Sequence, residues 1–343
     1  DRSFNADGSM FFPTTRGTFG DTPPDGPWIP STDVPPYWNP ESFGSVMCVN
    51  GRSWPALQVE PRRYRFRLLN NCNARTLIMK IVADPLTARP ATAALPFWHI
   101  GSDGGFLRAP AQAGKVLLHV AERSDVIVDF TGLAPGTQLY LINEGPDEAF
   151  GGGVPNTDFD AADPGTSGQV MKFVVVPLAS KDTSVPPSRL TLPPFATLGA
   201  ATNTRHLSLN EIDSQFFADA PIVGLLGTVN ADGSPNPLDW AAAVTENPAL
   251  NTTEVWELHN FTEDAHPIHV HQVQFEVVNR QPVGGSVTQP EVWETGTKDT
   301  VIAYPDQFTR IRARFDISGR YVWHCHILDH EDHDMMRPYQ VGS

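Results

Sequence analysis

Seven short runs rich in branched and aromatic residues follow one another in the first half of the chain: Ser45–Val49, Tyr64–Leu69, Thr76–Ile81, Val116–Val120, Val126–Phe130, Leu139–Ile142 and Met171–Val176. Turn residues separate them, and helical periodicity is scarce. With 32 Pro and 27 Gly among 343 residues, long helices have little room, because proline breaks helix interiors and glycine weakens them. A second strand-rich block runs from about Thr204 to the C-terminus, and a Pro-rich stretch opening at Pro177 reads as the connection. The pattern predicts an all-β chain of two sandwich or barrel domains, each large enough to bury its own core. The domains are placed at 1–177 and 204–343, with a linker over 178–203. Residues from about Phe12 to Phe43, dense in Pro, Gly, Asp and Thr, read as a long surface loop.

A formal net charge of −15 argues against a nucleic-acid or anionic-membrane partner, and no apolar run reaches the length of a membrane-spanning helix. Three cysteines are too few for a disulfide framework. Cys48 and Cys72 lie in apolar, strand-like surroundings and read as two buried thiols, a disulfide between them being the alternative. The chain does not open with Met and carries no signal peptide, so the expectation is a removed N-terminal portion or a fragment. Asn251 and Asn260 head glycosylation-type sequons, a pattern common by chance.

The two blocks look like versions of one plan. Ala121–Phe130 followed by Gly136–Ile142 parallels Tyr304–Ile311 followed by Gly319–Cys325, and Phe97-Trp98-His99-Ile100 stands where His266–His271 stands in the second block. Asn143-Glu144-Gly145 takes the place of His-Cys-His. The first copy is therefore expected to keep the scaffold without metal ligands.

Seven of the eleven histidines fall in two segments: His266-Pro267-Ile268-His269-Val270-His271, and Trp323-His324-Cys325-His326 continuing through His330-Glu331-Asp332-His333-Asp334-Met335-Met336. Successive side chains on a strand point to opposite faces, so His324 and His326 emerge on one side and Cys325 on the other. His269 and His271 likewise share a face, while His266, set back across Pro267, is free to turn elsewhere. Cys325, His266, His330 and a methionine form the His2Cys set with a weak thioether that suits blue copper, with Met335 and Met336 competing for the axial place. Zinc accepts the same residue types, but it needs no methionine and has no use for four further histidines on opposite faces. His99, His119, His206 and His259 are isolated and read as packing or surface residues, and nothing in the spacing of His333 requires it.

At these residues the chain resembles the three-domain multicopper oxidases, in particular the bacterial spore-coat laccase and bilirubin-oxidase branch. Gly319-Arg320-Tyr321-Val322-Trp323-His324-Cys325-His326 continuing to Met335-Met336-Arg337-Pro338 is the most specific match. Asp1–Ser9, Val49-Asn50-Gly51, Val59–Arg67, Ile100–Gly105 and Lys298-Asp299-Thr300 extend it over nearly the whole chain. The resemblance implies two cupredoxin-like Greek-key domains, the family's second and third. It implies type 1 copper on His266, Cys325, His330 and Met335, type 2 copper on His269, and type 3 coppers on His271, His324 and His326. Glu331 sits where the family has an acidic residue implicated in proton delivery to oxygen.

The activity implied is one-electron oxidation of small aromatic reductants at the type 1 copper, electrons entering at an exposed edge of His330 or His266. Transfer through Cys325 would then feed four-electron reduction of O2 to water. The family's trinuclear cluster takes eight histidines, four of them from two His-x-His pairs of a first domain, and this chain has no such pair beyond His269/His271 and His324/His326. The chain is thus expected to supply half the cluster and to need the missing N-terminal cupredoxin domain as its partner. The alternative is a blue-copper electron-transfer or copper-binding fragment in which only the type 1 site works.

Overall fold

Two units, each built mainly on two β-sheets, are described by a computed structural model covering residues 1–11, 40–217 and 221–342. Most of the expected loop from Phe12 to Phe43 lies outside the described residues. The first unit comprises residues 1–3, 43–197 and 290–298. Its larger sheet runs Val116–Leu118, Leu77–Val82, Gln138–Asn143, Gln169–Val175, Ala56–Val59, and its smaller sheet Arg63–Leu69, Arg123–Asp129, Phe97–Ser102, Gly105–Ala113. Alternation explains the core. Leu77, Met79 and Ile81 point inward with Leu139, Leu141, Val126, Val128 and Phe173, every second residue of their strands.

Two of the sequence motifs meet in this unit. Lys298, 2% exposed, places its ammonium 2.8 Å from Asp103 and 3.2 Å from Glu122. Burial opposes its charge, yet those carboxylates win and hold Lys298 above its ordinary range. All three thiols are free, Cys72 buried and Cys48 only half-buried, so the pair does not form a disulfide.

The second unit comprises residues 4–42, 198–289 and 299–343. Six of its strands pair in the order Pro235–Leu238, Pro221–Val229, Asn203–Asp213, Thr252–Asn260, Gln307–Phe315, Phe275–Pro282. A four-stranded sheet, Thr300–Ala303, His266–Val270, Gly319–Cys325, Met336–Val341, carries the histidines. Between the sheets Trp256 packs edge-on against Trp323 (5.8 Å between centroids) and Tyr339 (5.5 Å), and stacks on Phe315 (5.4 Å).

Pairing gives the internal repeat its register. In the second unit Ile268 opposes Cys325, His269 opposes His324, and His326 N–H donates to Pro267 O at 2.8 Å. In the first, Met79 opposes Asn143, Lys80 opposes Ile142, and Glu144 N–H donates to Ile78 O at 2.8 Å. The counterpart of His266–Val270 is therefore Leu77–Val82. Phe97–Ser102 lies instead in the opposite sheet, so aligning it with His266–His271 is wrong: strand pairing decides the correspondence, and order along the chain does not.

His99, 0% exposed, donates from Nε2 to the Lys115 carbonyl (3.2 Å), which fixes Nδ1 as acceptor from Ser124 Oγ (3.1 Å), and stacks on Trp293. Burial pushes it down to about 4 from an ordinary 6.5. The unfolded chain takes up this proton near 6.5 and the folded chain only near 4. This contribution to stability is full above the unfolded value and falls away as pH drops through that window, by about 3 kcal/mol. Urea unfolding at pH 7 and pH 4 should show a clearly smaller loss for His99→Gln than for the unaltered chain, and equal losses would refute the assignment.

Candidate metal centre

Two donor clusters sit back to back on the strand pair His266–Val270 and Gly319–Cys325. The first joins His266, Cys325 and His330, whose ligating atoms all lie within 4.8 Å of one another. Cys325 Sγ is 3.7 Å from His266 Nδ1 and 3.7 Å from His330 Nδ1. Cys325 ends its strand; His330 comes from the short helix Leu328–Asp332, which turns back over the strand end. Met335 returns beside them, its N–H donating to His330 O (3.0 Å) and its carbonyl accepting from Cys325 N–H (3.0 Å). Met335 is fully buried, whereas Met336 is only partly so and falls in the ladder opposite His324.

The hydrogen bonds around His266 settle its tautomer. Thr262 Oγ1 lies 2.7 Å from His266 Nε2 and has its own acceptor in Asn260 Oδ1, 2.8 Å away. Nε2–H therefore donates to the threonine, and Nδ1 faces the Cys325 thiol as an acceptor. Asn260 in turn donates to the carbonyls of Asp264 (2.7 Å) and Ala303 (3.0 Å). It is 0% exposed, so this sequon serves the site's scaffold rather than presenting a glycan acceptor. Burial pushes His266 down to about 3 and the Cys325 thiol well up. A pocket with a neutral His266 and a reluctant thiolate fits a soft or borderline cation, which would supply the charge that ionises the sulfur.

The second cluster gathers His269, His271 and His324, again within 4.8 Å. His269 Nδ1–H donates to Asp299 O at 2.7 Å and His324 Nδ1–H to Cys325 O at 2.9 Å. Each bond leaves Nε2 as the bare donor; His324 Nε2 stands 3.1 Å from His271 Nε2. The His326 ring lies 5.2 Å from that of His324 and 5.7 Å from that of His269, and its buried Nδ1 has no hydrogen-bond partner. Four imidazole rings brought this close fit metal ligation. Glu331 Oε2 lies 3.3 Å from His324 Nδ1 and 3.8 Å from His326 Nδ1; the bond to His324 holds its carboxyl below the usual range.

Two expectations change in detail. Pro267 does not break the strand: it pairs opposite Ile302, and the odd spacing between His266 and His269 alone puts them on opposite faces. The rings of His266 and His330 present no exposed edge, being 0% and 2% exposed. Sequence reasoning missed the groups behind the first cluster. Thr262 and Asn260 carry no metal-ligand signature. Glu211 and Asp264, whose carboxylates approach His266, come from strands and turns far apart in sequence. Burial and then Asp264 push Glu211 up to about 8, and burial with Asp264 raises Glu41.

Residues 212–343 match the sequence profile of the multicopper oxidase family. A laccase of Bacillus subtilis is 36% identical over 357 residues, covering 99% of this chain and 61% of that protein. A bilirubin oxidase of Albifimbria verrucaria is 35% identical, covering 87% of this chain and 48% of that protein. The crystal structure of the McoA multicopper oxidase of Aquifex aeolicus superposes with a TM-score of 0.68 at 25% identity, over 100% of this chain and 64% of that one. The chain belongs to the multicopper oxidase family. Its fold is the cupredoxin type of that family, and copper is the family's metal. It spans about three fifths of the length of the laccases it matches, 61% and 62%.

In this multicopper oxidase chain Thr262→Val should leave the fold intact and remove the acceptor that fixes His266. Copper retention against a chelator is expected to weaken roughly 10- to 100-fold, the usual range when an outer partner of a ligating histidine is lost. Unchanged retention would show that the Thr262 bond does not orient the ring.

Proposed function

We propose that the chain carries the type 1 copper centre and half the trinuclear centre of a laccase-like multicopper oxidase. The enzyme would oxidise small phenolic or aromatic reductants one electron at a time and reduce O2 to water. His266, Cys325, His330 and Met335 hold the type 1 copper, His269 the type 2 copper, and His271, His324 and His326 the type 3 pair. Bound copper supplies the one-electron redox chemistry. The observation that carries the reading is the thiol of Cys325 lying 3.7 Å from two buried imidazole nitrogens, with His324 and His326 as its chain neighbours in the second cluster.

The chain's own residues define the rest. Cys325 links the two pockets by the shortest covalent path, through its own backbone to His324 and His326. His266, His269 and His324 are held by Thr262, the Asp299 carbonyl and the Cys325 carbonyl in the tautomers that ligation needs, which reduces the reorganisation on binding. Glu331 faces His324 and His326 and is the residue we assign to relaying protons toward reduced oxygen. Four imidazoles are half of the eight that the resemblance implies, so the oxygen chemistry requires a partner domain with two further His-x-His pairs.

Copper-loaded chain should bind one tightly held copper with an intense thiolate-to-copper absorption band, and Cys325→Ser should abolish that band. Oxygen consumption with a phenolic reductant is expected only when the chain is joined to a domain bearing two His-x-His pairs, and Glu331→Gln should slow it. A colourless copper complex, or a band that survives Cys325→Ser, would overturn the type 1 assignment. Inactivity of the joined protein with all its copper sites filled would overturn the oxidase reading.

A further inference from the structure

The strand Pro221–Val229 carries a glycine that its own backbone does not call for. Gly224 has no left-handed φ, and a glycine in a strand interior costs stability through its extra freedom in the unfolded chain. Its missing side chain is what matters. A Cβ built there would lie 3.2 Å from Met335 Sδ, 3.5 Å from its Cβ and 3.6 Å from its Cγ. The first is well inside ordinary carbon–sulfur contact, so the thioether fills the space a side chain would otherwise occupy.

Met335 has little freedom to retreat. Its backbone is held on both sides by site residues, N–H to His330 O and carbonyl to Cys325 N–H, each 3.0 Å, and its side chain is fully buried. Two residues before Gly224, the Ile222 carbonyl accepts from His333 Nε2–H at 2.9 Å. One strand therefore grips the segment returning from the helix at two points, by a hydrogen bond at His333 and by close packing at Met335. A methyl group at position 224 would press first on the Met335 thioether, which would have to give by a few tenths of an ångström.

We infer that Gly224 is a positioning residue for the axial thioether: together with the His333–Ile222 bond, it sets where Met335 Sδ stands relative to the His266–Cys325–His330 pocket. The inference rests on the type 1 reading above. The strand would thereby act on the copper through Met335, because the thioether is the weak ligand that tunes potential while thiolate and imidazoles would hold the metal.

A double-mutant cycle on the copper-loaded 343-residue chain tests this. Gly224→Ala should keep one copper and the thiolate-to-copper band. It should also shift the equilibrium with a redox mediator by about fivefold or more, the scale of overpacking a filled site, and alter the copper's electron paramagnetic resonance splitting. In a Met335→Leu background the same substitution should shift that equilibrium far less. An unchanged mediator equilibrium in Gly224→Ala, or an equal shift in both backgrounds, overturns the inference while leaving the copper reading intact. A wild-type chain that binds no blue copper overturns both. Should Gly224→Ala fail to fold, adding Met335→Ala must restore folding by clearing the space, and absence of that rescue also overturns it.

Discussion

Everything at the metal centre depends on the register between two antiparallel strands, with Ile268 opposite Cys325 and His269 opposite His324. Strand side chains alternate with period two, so a slip of one residue would turn His269 and His324 into the thiol's pocket and Cys325 into the imidazole cluster. The register is fixed from outside as well as within. His266 pairs with Ala303 on one flank, and His324 with Met336 on the other. The aromatic packing of Trp323 and Tyr339 under Trp256 commits the alternate residues to the core. Positions that bury Trp323, Cys325 and Tyr339 cannot exchange with positions that face the other way without exposing all of them.

The first unit shows what the same scaffold does without metal. Its Asn143 stands at the place of Cys325 and spends its amide on the backbone, accepting from Ile78 N–H and Gly145 N–H. Leu77 replaces His266. Lys80 and Glu144, at the places of His269 and His326, form an ion pair of 2.8 Å. The likeness reaches the outer partners too. Asn70 donates to the Arg75 and Leu118 carbonyls and accepts from Cys72 N–H, as Asn260 does with Asp264, Ala303 and Thr262. The asparagine knot is thus a property of the fold. Only the second unit adds, at the place of Cys72, a threonine hydroxyl that can orient an imidazole.

This comparison marks what could be read from the sequence. The strand series was legible because alternation is a local pattern, and the histidines because their two-residue spacing carries meaning on any strand. The strands Ala56–Val59 and Gly105–Ala113 were not, since Pro and Gly in and around them blur the signal. The placing of Phe97–Ile100 failed for a related reason: which strand pairs with which is not a local property, although the reading of His99 as a packing residue agrees with its contacts to Ser124 and Lys115. Gly224 and Thr262 were illegible because their roles lie in contacts across the unit, with Met335 111 positions away and with a ring already assigned as a ligand. Glu41, Glu211 and Asp264 converge for the same reason, through pairing that no local window contains.

That convergence bears on how the first pocket works. Cys325 is wholly buried, and the nearby carboxylates Asp264, Glu41 and Glu211 add to burial in holding its proton on. His266 is neutral for want of solvent. A pocket with these properties cannot keep a bare thiolate, and it gains nothing from charging its imidazoles. A cation at the proposed site would reverse both effects, because it would pair with the sulfur and favour ionisation of the surrounding carboxyl groups. Metal uptake at the proposed site would then expel the thiol proton, making occupancy and ionisation one event. The strand register brings the candidate donors together, and the charge that would make the sulfur a ligand would arrive with the metal.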